Sequence, residues 1–161
     1  MERDESAGTK AGEPLLRSAA GTGRWDAVEL RHYKDEAGSP FQDVTRQVLF
    51  DEDGLACQLR YFEVGPGGRT TLERHEHVHA VLILHGTGRC LVGDRVFDVS
   101  PHDLVRVPPS TWHQFRAAAD GPLGFLCMVN RERDRPRLPT AAEVAQLRRD
   151  PVVDRFLGDA A

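Results

Sequence analysis

The sequence has few cysteines and no long hydrophobic run, and each shortage excludes a class of protein. No apolar run approaches the roughly 20 residues that a membrane-spanning helix needs. Residues 1–14 are charged and lack the apolar core of a signal peptide. The three cysteines, Cys57, Cys90 and Cys127, are an odd number without CxxC spacing, as is common in a reducing compartment. We therefore expect a cytoplasmic protein.

The chain also has no excess of positive charge. Its formal net charge is -4 and its pI is near 6.0, so there is no electrostatic argument for nucleic acid or an anionic membrane as a partner. It contains no Ser-His-Asp set, phosphate-binding loop or nucleotide-binding fingerprint. With 161 residues, 40% of them hydrophobic and 29% charged, it has the composition of one globular domain with a real core.

Most of the chain consists of short apolar runs separated by turn signals. The predicted strands occupy residues 25–33, 41–50, 55–64, 80–84, 89–92, 95–99, 104–107, 113–117 and 123–129. The four residues Gly65–Gly68 are expected to end the third run, and Gly93-Asp94 is a two-residue hairpin signal. Many short strands at close spacing predict an all-β sandwich or barrel, here a double-sheet jelly roll.

Both ends of the chain differ from this middle part. The first residues are small and polar, which predicts a disordered arm, and two extension strands should follow that lengthen a sheet edge or reach a partner subunit. After a charged linker, Thr140 and Glu143 form a capping box that opens a helix. Asp150 should cap a second short helix that ends near Gly158. The expected segments are the arm (1–22), the extension strands (23–53), the barrel (54–130) and the linker with the helical tail (131–161).

The stretch that carries chemistry runs from Gly67 to Gly86. Within seven positions it holds four groups that can bind a metal, at alternate positions: Glu73, His75, His77 and His79. On an extended backbone, residues two apart share a face, so these groups would point the same way. Imidazoles and a carboxylate on one face can bind a divalent first-row metal. A second element, VRVPPSTWHQF, supplies His113 after a Pro-Pro turn.

These two elements resemble the two motifs of the cupin superfamily, in the form found in small single-domain bacterial cupins. The first family motif is Gly, five residues, His-x-His, three or four residues, Glu, six residues, Gly. The chain keeps this spacing from Gly67 to Gly86, but Glu73 takes the place of the usual first His and His79 takes the place of the usual Glu. In the second motif the central histidine is present as His113, while both glycines and the asparagine are replaced.

The resemblance covers about residues 54–129 and implies a double-stranded β-helix, the cupin jelly-roll barrel, with one divalent transition metal. Fe²⁺, Mn²⁺, Zn²⁺, Ni²⁺ and Co²⁺ all suit such ligands. The implied ligands are Glu73, His75, His79 and His113. They would leave two adjacent positions of an octahedral ion open for substrate or oxygen. The competing interpretation is a polar strand end on the surface.

His77 has the same strand parity as the expected ligands, but the family turns the chain between the second and third of them. We therefore expect His77 to lie in the pocket as a loop residue or a support for a ligand, with direct ligation as the alternative. The other expected pocket residues are Trp112, Gln114, Phe115 and Cys127. Among these, Phe115 shares parity with His113, and Cys127 is alternatively an inert buried thiol.

Catalytic roles are expected for Glu73 and His113, together with Tyr61, whose hydroxyl could donate a proton. The alternative for Tyr61 is a core tyrosine with a satisfied hydroxyl. Arg60 and Arg106 could bind an anionic substrate, although arginine on the exterior of a sheet is the more common arrangement.

The resemblance predicts a metal-dependent enzyme that acts on a small organic molecule, most simply a mononuclear non-haem metal dioxygenase. One alternative is a non-redox isomerase, lyase or rearrangement enzyme of a biosynthetic pathway, as in zinc cupins that work beside amino-acid-activating enzymes. A small-molecule-binding cupin without turnover, or a structural one, is the other alternative. Because open sheets expose edges that proteins cover, we also expect a homodimer.

Overall fold

The structure is a computed structural model that describes residues 15–32 and 42–158. Its strands are β1 (Ala19–Gly21), β2 (Arg24–Trp25), β3 (Arg31–His32), β4 (Gln42–Phe50), β5 (Cys57–Arg69), β6 (His79–His85), β7 (Gly88–Val92), β8 (Arg95–Val99), β9 (Leu104–Val107), β10 (His113–Ala117) and β11 (Leu123–Asn130). Its helices are α1 (Ala141–Leu147) and α2 (Pro151–Gly158). Neither of these two helices is long and apolar enough to cross a membrane.

The strands form a curled antiparallel sheet in the order β8-β7-β10-β5-β11-β6-β9, and β4 pairs with β5 as an additional strand. Apart from the β7-β8 hairpin, neighbours in this order are not consecutive in the sequence, as in a jelly roll, which joins strands by long connections across its ends. The predicted all-β jelly-roll class is therefore confirmed. The first extension strand is interrupted, since β2 pairs with β1 and β3 pairs with β4. Residues 33–41, at the end of one predicted strand and the start of the next, lie outside the described part, as do residues 1–14 of the predicted arm.

Strand β5 does not end at its glycines as the sequence predicted. Its first half pairs with β11, and its last residue, Arg69, lies opposite Arg116 of β10, so one strand runs through both halves of the barrel. Gly67 has a positive φ of 69° and makes the bend without ending the strand. A Cβ at Gly68 would come within 2.6 Å of the backbone oxygen of Gln42, so glycine permits the close passage of β4.

Alternate residues of these strands face the interior and form the main core, which includes Val64, Ile83, Phe115 and Phe125. This alternation decides which side chains reach the inside of the barrel. Helix α2 closes a second, smaller core in which Val153 and Phe156 pack on Leu91 and neighbouring apolar residues. The interior is thus mainly apolar, with a small group of buried polar side chains that includes the histidines.

The chain ends are attached to the barrel by specific contacts. Trp25 packs edge-on against Tyr61 with ring centroids 5.0 Å apart. The predicted capping box of α1 is present, with Thr140 and Glu143 each accepting a bond from the other's backbone. The carboxylate of Asp150 accepts hydrogen bonds from the first turn of α2, as its predicted N-cap role requires.

Candidate metal centre

Three histidines from three elements meet at one end of the barrel interior. His75 lies in the loop before β6, His79 begins β6 and His113 begins β10. All three are buried, and one ring nitrogen of each lies within 4.8 Å of the others. The first motif supplies two of them, and the second motif delivers the third from a strand of the other half of the barrel.

Each imidazole is held by its Nδ1 atom. Nδ1 of His75 donates to the carbonyl oxygen of His77 at 2.8 Å, and Nδ1 of His113 donates to that of Thr111 at 2.9 Å. A carbonyl can only accept, so Nδ1 carries the proton and Nε2 keeps its lone pair. Nδ1 of His79 faces the thiol of Cys127 at 3.6 Å. Nε2 of His75 and Nε2 of His79 are buried without a hydrogen-bond partner.

The surroundings also keep the three rings neutral. Burial lowers the pKa of His79 to about 2 and that of His113 to about 4, and it lowers the pKa of His75 as well. A metal requires the deprotonated ring, so these shifts favour binding of a cation over binding of a proton. Three neutral imidazoles with free, converging Nε2 atoms fit a divalent transition metal.

Glu73 stands beside this group, although it is not one of its members. Its backbone pairs with that of His113, which brings the two side chains together. Oε1 of Glu73 lies 4.0 Å from Nε2 of His113. Two atoms that each bind an ion at about 2.1 Å are at most about 4.2 Å apart, so this pair is compatible with a shared metal. Burial raises the pKa of Glu73 to about 7. Ligation by Glu73 stays a prediction.

His77 lies next to the group and is held from outside it. Its ring stacks on that of His75 with centroids 3.7 Å apart. Its Nδ1 is 2.6 Å from Oδ1 of Asp134, whose other oxygen accepts the backbone N–H of Glu76 at 2.8 Å. Asp134 therefore fixes the bend of the loop that carries His75. No local sequence signal predicts this contact, because Asp134 lies in the charged linker, 57 residues from His77.

The histidines open into a cavity of about 80 Å³, room for several water-sized groups. Of the residues expected in the pocket, His77, Phe115 and Cys127 line this cavity. Pro136, from the linker that precedes the C-terminal helices, also lines the cavity. Its remaining walls are mainly apolar, so a bound metal would act in a medium with little water.

Three other expected residues do not line the cavity, which corrects their assignment. Tyr61 lies on the opposite face of β5, where its hydroxyl donates to Glu63 at 2.8 Å and lies 2.7 Å from Nε2 of His85. A residue that donates a proton at the metal would have to lie on the face of β5 that lines the cavity. Gln114 follows His113 and so has the opposite parity, and its amide donates to Thr70. Trp112 lies outside strand β10, with the guanidinium of Arg74 4.5 Å above its ring.

Two arginines line the cavity, although an arginine in a sheet more commonly lies on the exterior. Arg60 is only 7% exposed and lines the cavity, and its guanidinium donates to Sγ of Cys127 at 3.6 Å. Arg133 of the linker lines the same cavity. Arg106, the other arginine considered from the sequence, is exposed on β9. The site therefore combines neutral metal ligands with fixed positive charge.

Comparison with known proteins agrees with this geometry. The Cupin domain family profile, Cupin_2, matches residues 60–129. A 1-methylthio-D-xylulose 5-phosphate methylsulfurylase of Rhodospirillum rubrum is 60% identical over 134 residues, which cover 83% of the chain and 86% of the relative. The chain is a cupin.

Two further similarities differ in extent. A cupin 2 conserved barrel domain protein from Rhodopseudomonas palustris has a crystal structure that matches this cupin with a TM-score of 0.85 and 57% identity, over 88% of this chain and 97% of that one. A 5-nitrosalicylic acid 1,2-dioxygenase of Bradyrhizobium sp is 34% identical over only 64 residues, 40% of this chain and 29% of the relative.

Proposed function

We propose that this cupin is a metal-dependent enzyme that acts on a small methylthio-substituted sugar phosphate, as the name of its Rhodospirillum rubrum relative describes for that protein. The observation that carries the proposal is a single cavity in which three neutral histidines with converging free nitrogens adjoin buried arginine. The 60% identity to the methylsulfurylase supports this substrate class. This replaces oxygen chemistry, the first interpretation of the sequence, as the preferred function.

The metal centre suits a ketose. A divalent ion held by His75, His79 and His113 would supply Lewis-acid polarisation of a carbonyl oxygen. In a 1-methylthio ketose, the carbon–sulfur bond is next to the ketone carbon. A thiolate that attacks the sulfur would form a disulfide with the methylthio group and leave the electron pair of the broken bond on carbon 1 as an enolate, which polarisation of the ketone would stabilise and a proton would convert to the 1-deoxy ketose. The apolar walls formed by Phe115 and Phe125 keep water away from the reacting end of such a substrate.

Glu73 is placed to move protons beside the ligands. Burial brings its pKa to about 7, where a carboxylate can accept a proton and return it near neutral pH. Its Oε1 lies on the same side of the cavity as His113. We assign it the proton transfer at the substrate carbon or oxygen nearest the metal, a role that requires its carboxylate to be free of the ion; ligation, which its motif position implies, is the alternative role.

The test uses the purified protein loaded with one divalent metal at a time. Consumption of 1-methylthio-D-xylulose 5-phosphate is followed through its S-methyl proton resonance, with and without an added thiol. We expect consumption by the metal-loaded protein and none by the chelated protein or by His113→Ala. A fully metal-loaded, folded protein that leaves the compound unchanged under every condition would rule the function out.

A dioxygenase is the second candidate, favoured by the 64-residue similarity to the 5-nitrosalicylic acid enzyme. Three histidines also suit iron-dependent oxygen chemistry. Oxygen uptake by the iron-loaded protein on addition of 5-nitrosalicylate separates the two candidates. Uptake of oxygen together with an unchanged methylthio sugar would establish the second candidate in place of the first.

A further inference from the structure

We propose that Arg60 and Arg133 form an anion-binding subsite that receives the phosphate group of a small phosphorylated substrate while its other end lies at the metal centre. This inference rests on the proposed function, because it names the residues that select the phosphorylated substrate. It gives a role to two positively charged side chains that do not bind the metal.

Strand register places Arg60 beside the ligands. Arg60 of β5 lies opposite Cys127 of β11, and Cys127 lies opposite Val81 of β6. Directly paired residues share a face of the sheet, and His79 is two residues before Val81 on that face. The contacts follow this row, since Sγ of Cys127 is 3.6 Å from the guanidinium of Arg60 and 3.6 Å from Nδ1 of His79. Arg60 thus lies within one side chain of the metal-binding nitrogens.

The guanidinium of Arg60 has no acidic partner within the described residues. The guanidinium contacts the weakly accepting thiol of Cys127 and the ring of Phe62, whose centre is 5.2 Å from the guanidinium carbon. Its Nε is buried without a hydrogen-bond acceptor. Glu73 lines the same cavity and is within the field of Arg60, which lowers its pKa against the larger effect of burial, but no ion pair joins the two described side chains. Buried charges in proteins are paired, so a buried cation that lines an open cavity indicates that an anion completes it.

Arg133 brings a second cation to the same space. Its guanidinium donates to the carbonyl oxygens of Asn130 and Arg131 at 2.9 and 3.1 Å, which directs the side chain across the end of β11. Burial, and then the fields of Arg60 and Arg46, lower the pKa of Arg133. Arg60 and Arg133 are therefore close enough to repel each other. A bound anion relieves this repulsion.

Arg133 also connects the cavity with the surface. It lines both the metal cavity and an adjoining surface groove, which Arg46 and Arg17 line as well. In all, four arginines and two acidic residues line the groove, so its net charge is positive, and such a groove concentrates anions and leads them to the site. An anion that arrives through the groove meets Arg133 first and the buried Arg60 next.

A phosphate monoester fits this arrangement better than a carboxylate does. Its dianion can accept from both guanidinium groups at once, and arginine binds phosphate with two parallel hydrogen bonds. The substrate in the name of the Rhodospirillum rubrum relative carries sulfur at carbon 1 and phosphate at carbon 5. Such a molecule can place its ketone end at the histidines and its phosphate end at the arginines.

The experiment compares two probes on the metal-loaded protein, D-xylulose 5-phosphate and D-xylulose, by titration calorimetry. Hydrogen bonds to charged groups predict that the phosphorylated sugar binds about 10-fold to 100-fold more tightly. Arg60→Gln should remove most of this difference, and Arg133→Gln should remove part of it. Arg106→Gln, an exposed arginine on β9, is the matched control and should change nothing. Metal content should be the same in all these variants.

Equal binding of the two sugars would overturn the subsite, as would full phosphate selectivity in Arg60→Gln. If Arg60→Gln does not fold, Arg133→Gln carries the test, since its side chain is exposed at the rim. Selective, Arg60-dependent binding of 5-nitrosalicylate without phosphate selectivity would assign the subsite to a carboxylate and contradict our proposal. Phosphate selectivity without turnover of the methylthio sugar would reject the proposed function and keep the subsite.

Discussion

At the level of single residues, the candidate centre depends on what holds the far side of each ring. Nδ1 of His75 and Nδ1 of His113 are committed to backbone carbonyls, so the free nitrogen of each ring has a fixed direction. Such outer contacts set the tautomer and the orientation of a ligand before any metal arrives. The centre is therefore preorganised by the backbone, and its ligands do not have to reorient on binding.

The first prediction is that His75→Ala and His113→Ala each lose the metal while the barrel stays folded. Removing one of three imidazoles removes a bond that the open cavity cannot replace. Elemental analysis of the purified variants measures the metal, and circular dichroism checks the fold. His32→Ala, an exposed histidine of β3, is the control and should keep the wild-type content. Full occupancy in either site variant would show that the assigned centre is wrong.

The same centre predicts the effect of metal on stability. A ligand that binds only the folded state raises the unfolding free energy by about 2.7 kcal/mol at a free concentration 100 times its dissociation constant. Chelation should therefore lower the melting temperature of the wild-type protein. The melting temperature of His113→Ala should not respond to added metal or to chelator. An equal response of both proteins would place the metal elsewhere.

A further residue-level prediction separates Glu73 from His77. The carboxylate of Glu73 faces His113, whereas Nδ1 of His77 is already bound by Asp134. Glu73→Gln keeps the size and removes the charge that offsets the dication. It should weaken metal binding at least about 10-fold to 100-fold, the usual effect of changes that lie further from a metal. His77→Ala should weaken it much less.

Competition with a metal-binding dye in one buffer measures both affinities. If His77 is the fourth ligand and Glu73 a peripheral acid, the order reverses, with Glu73→Gln nearly silent and His77→Ala losing the metal. That outcome would remove Glu73 from the ligand set.

The sequence could predict the histidines but not all of the pocket. Motif spacing is local, so it indicates the three imidazoles without knowledge of the fold. Arg60 and Tyr61 are neighbours in one strand, so only one of them can face the cavity, and both were plausible. The register of Arg60 against Cys127 decides this, and register is a property of the assembled sheet. Asp134 and Arg133 reach the site from a linker, for which no periodic pattern exists.

At the level of elements, turn residues predicted most strand boundaries to within one or two positions. The exceptions are the interrupted first extension strand and β5, where glycine bends a strand that the sequence pattern predicted to end. Glycines show that the backbone can adopt unusual conformations, but they do not show whether the chain bends or reverses there. A bend and a chain reversal therefore look alike in the sequence. The capping box of α1 and the Asp150 N-cap of α2 were predictable because each involves residues only two or three positions apart.

Helix α2 gives a prediction about the tail. Phe156 is fully buried in the small core with Leu91 and Val153, and the guanidinium of Arg116 lies 4.6 Å from its ring centre. Phe156→Ala should lower the unfolding free energy by about 3–5 kcal/mol, the usual cost of such a cavity. Val152→Ala, at a position 56% exposed on the same helix, should change it by less than about 0.5 kcal/mol.

Urea unfolding followed by circular dichroism measures both variants. If both substitutions lower the unfolding free energy by the same small amount, α2 does not unfold together with the barrel, and the prediction is wrong.

At the level of the whole molecule, the sheet has an apolar outer face. Strand register aligns Leu104, Leu82 and Leu126 in one row across β9, β6 and β11. A second row places Met128 beside Leu59. Leu104 is 70% exposed and Met128 is 50% exposed. Part of the same outward side, at Tyr61, is covered by Trp25 from the N-terminal strands. The rows at Leu104 and Met128 have no such cover among the described residues.

The last prediction is that this apolar outer face pairs with the same face of a second copy, which forms a homodimer. Two-fold symmetry is the commonest symmetry of protein oligomers. In such a dimer the same patch of both copies is buried in one interface, so neither copy keeps an exposed patch. It would also protect the edge strand β9 from uncontrolled pairing.

Sedimentation should show a dimer at micromolar concentration. Leu104→Glu places two unpaired carboxylates in the interface, one from each copy, and should raise the dissociation constant on the order of 100-fold. Leu138→Glu, at a position 50% exposed outside this face, should leave the dimer intact. A wild-type monomer would refute the dimer, and a dimer unaffected by Leu104→Glu would move the interface to another surface.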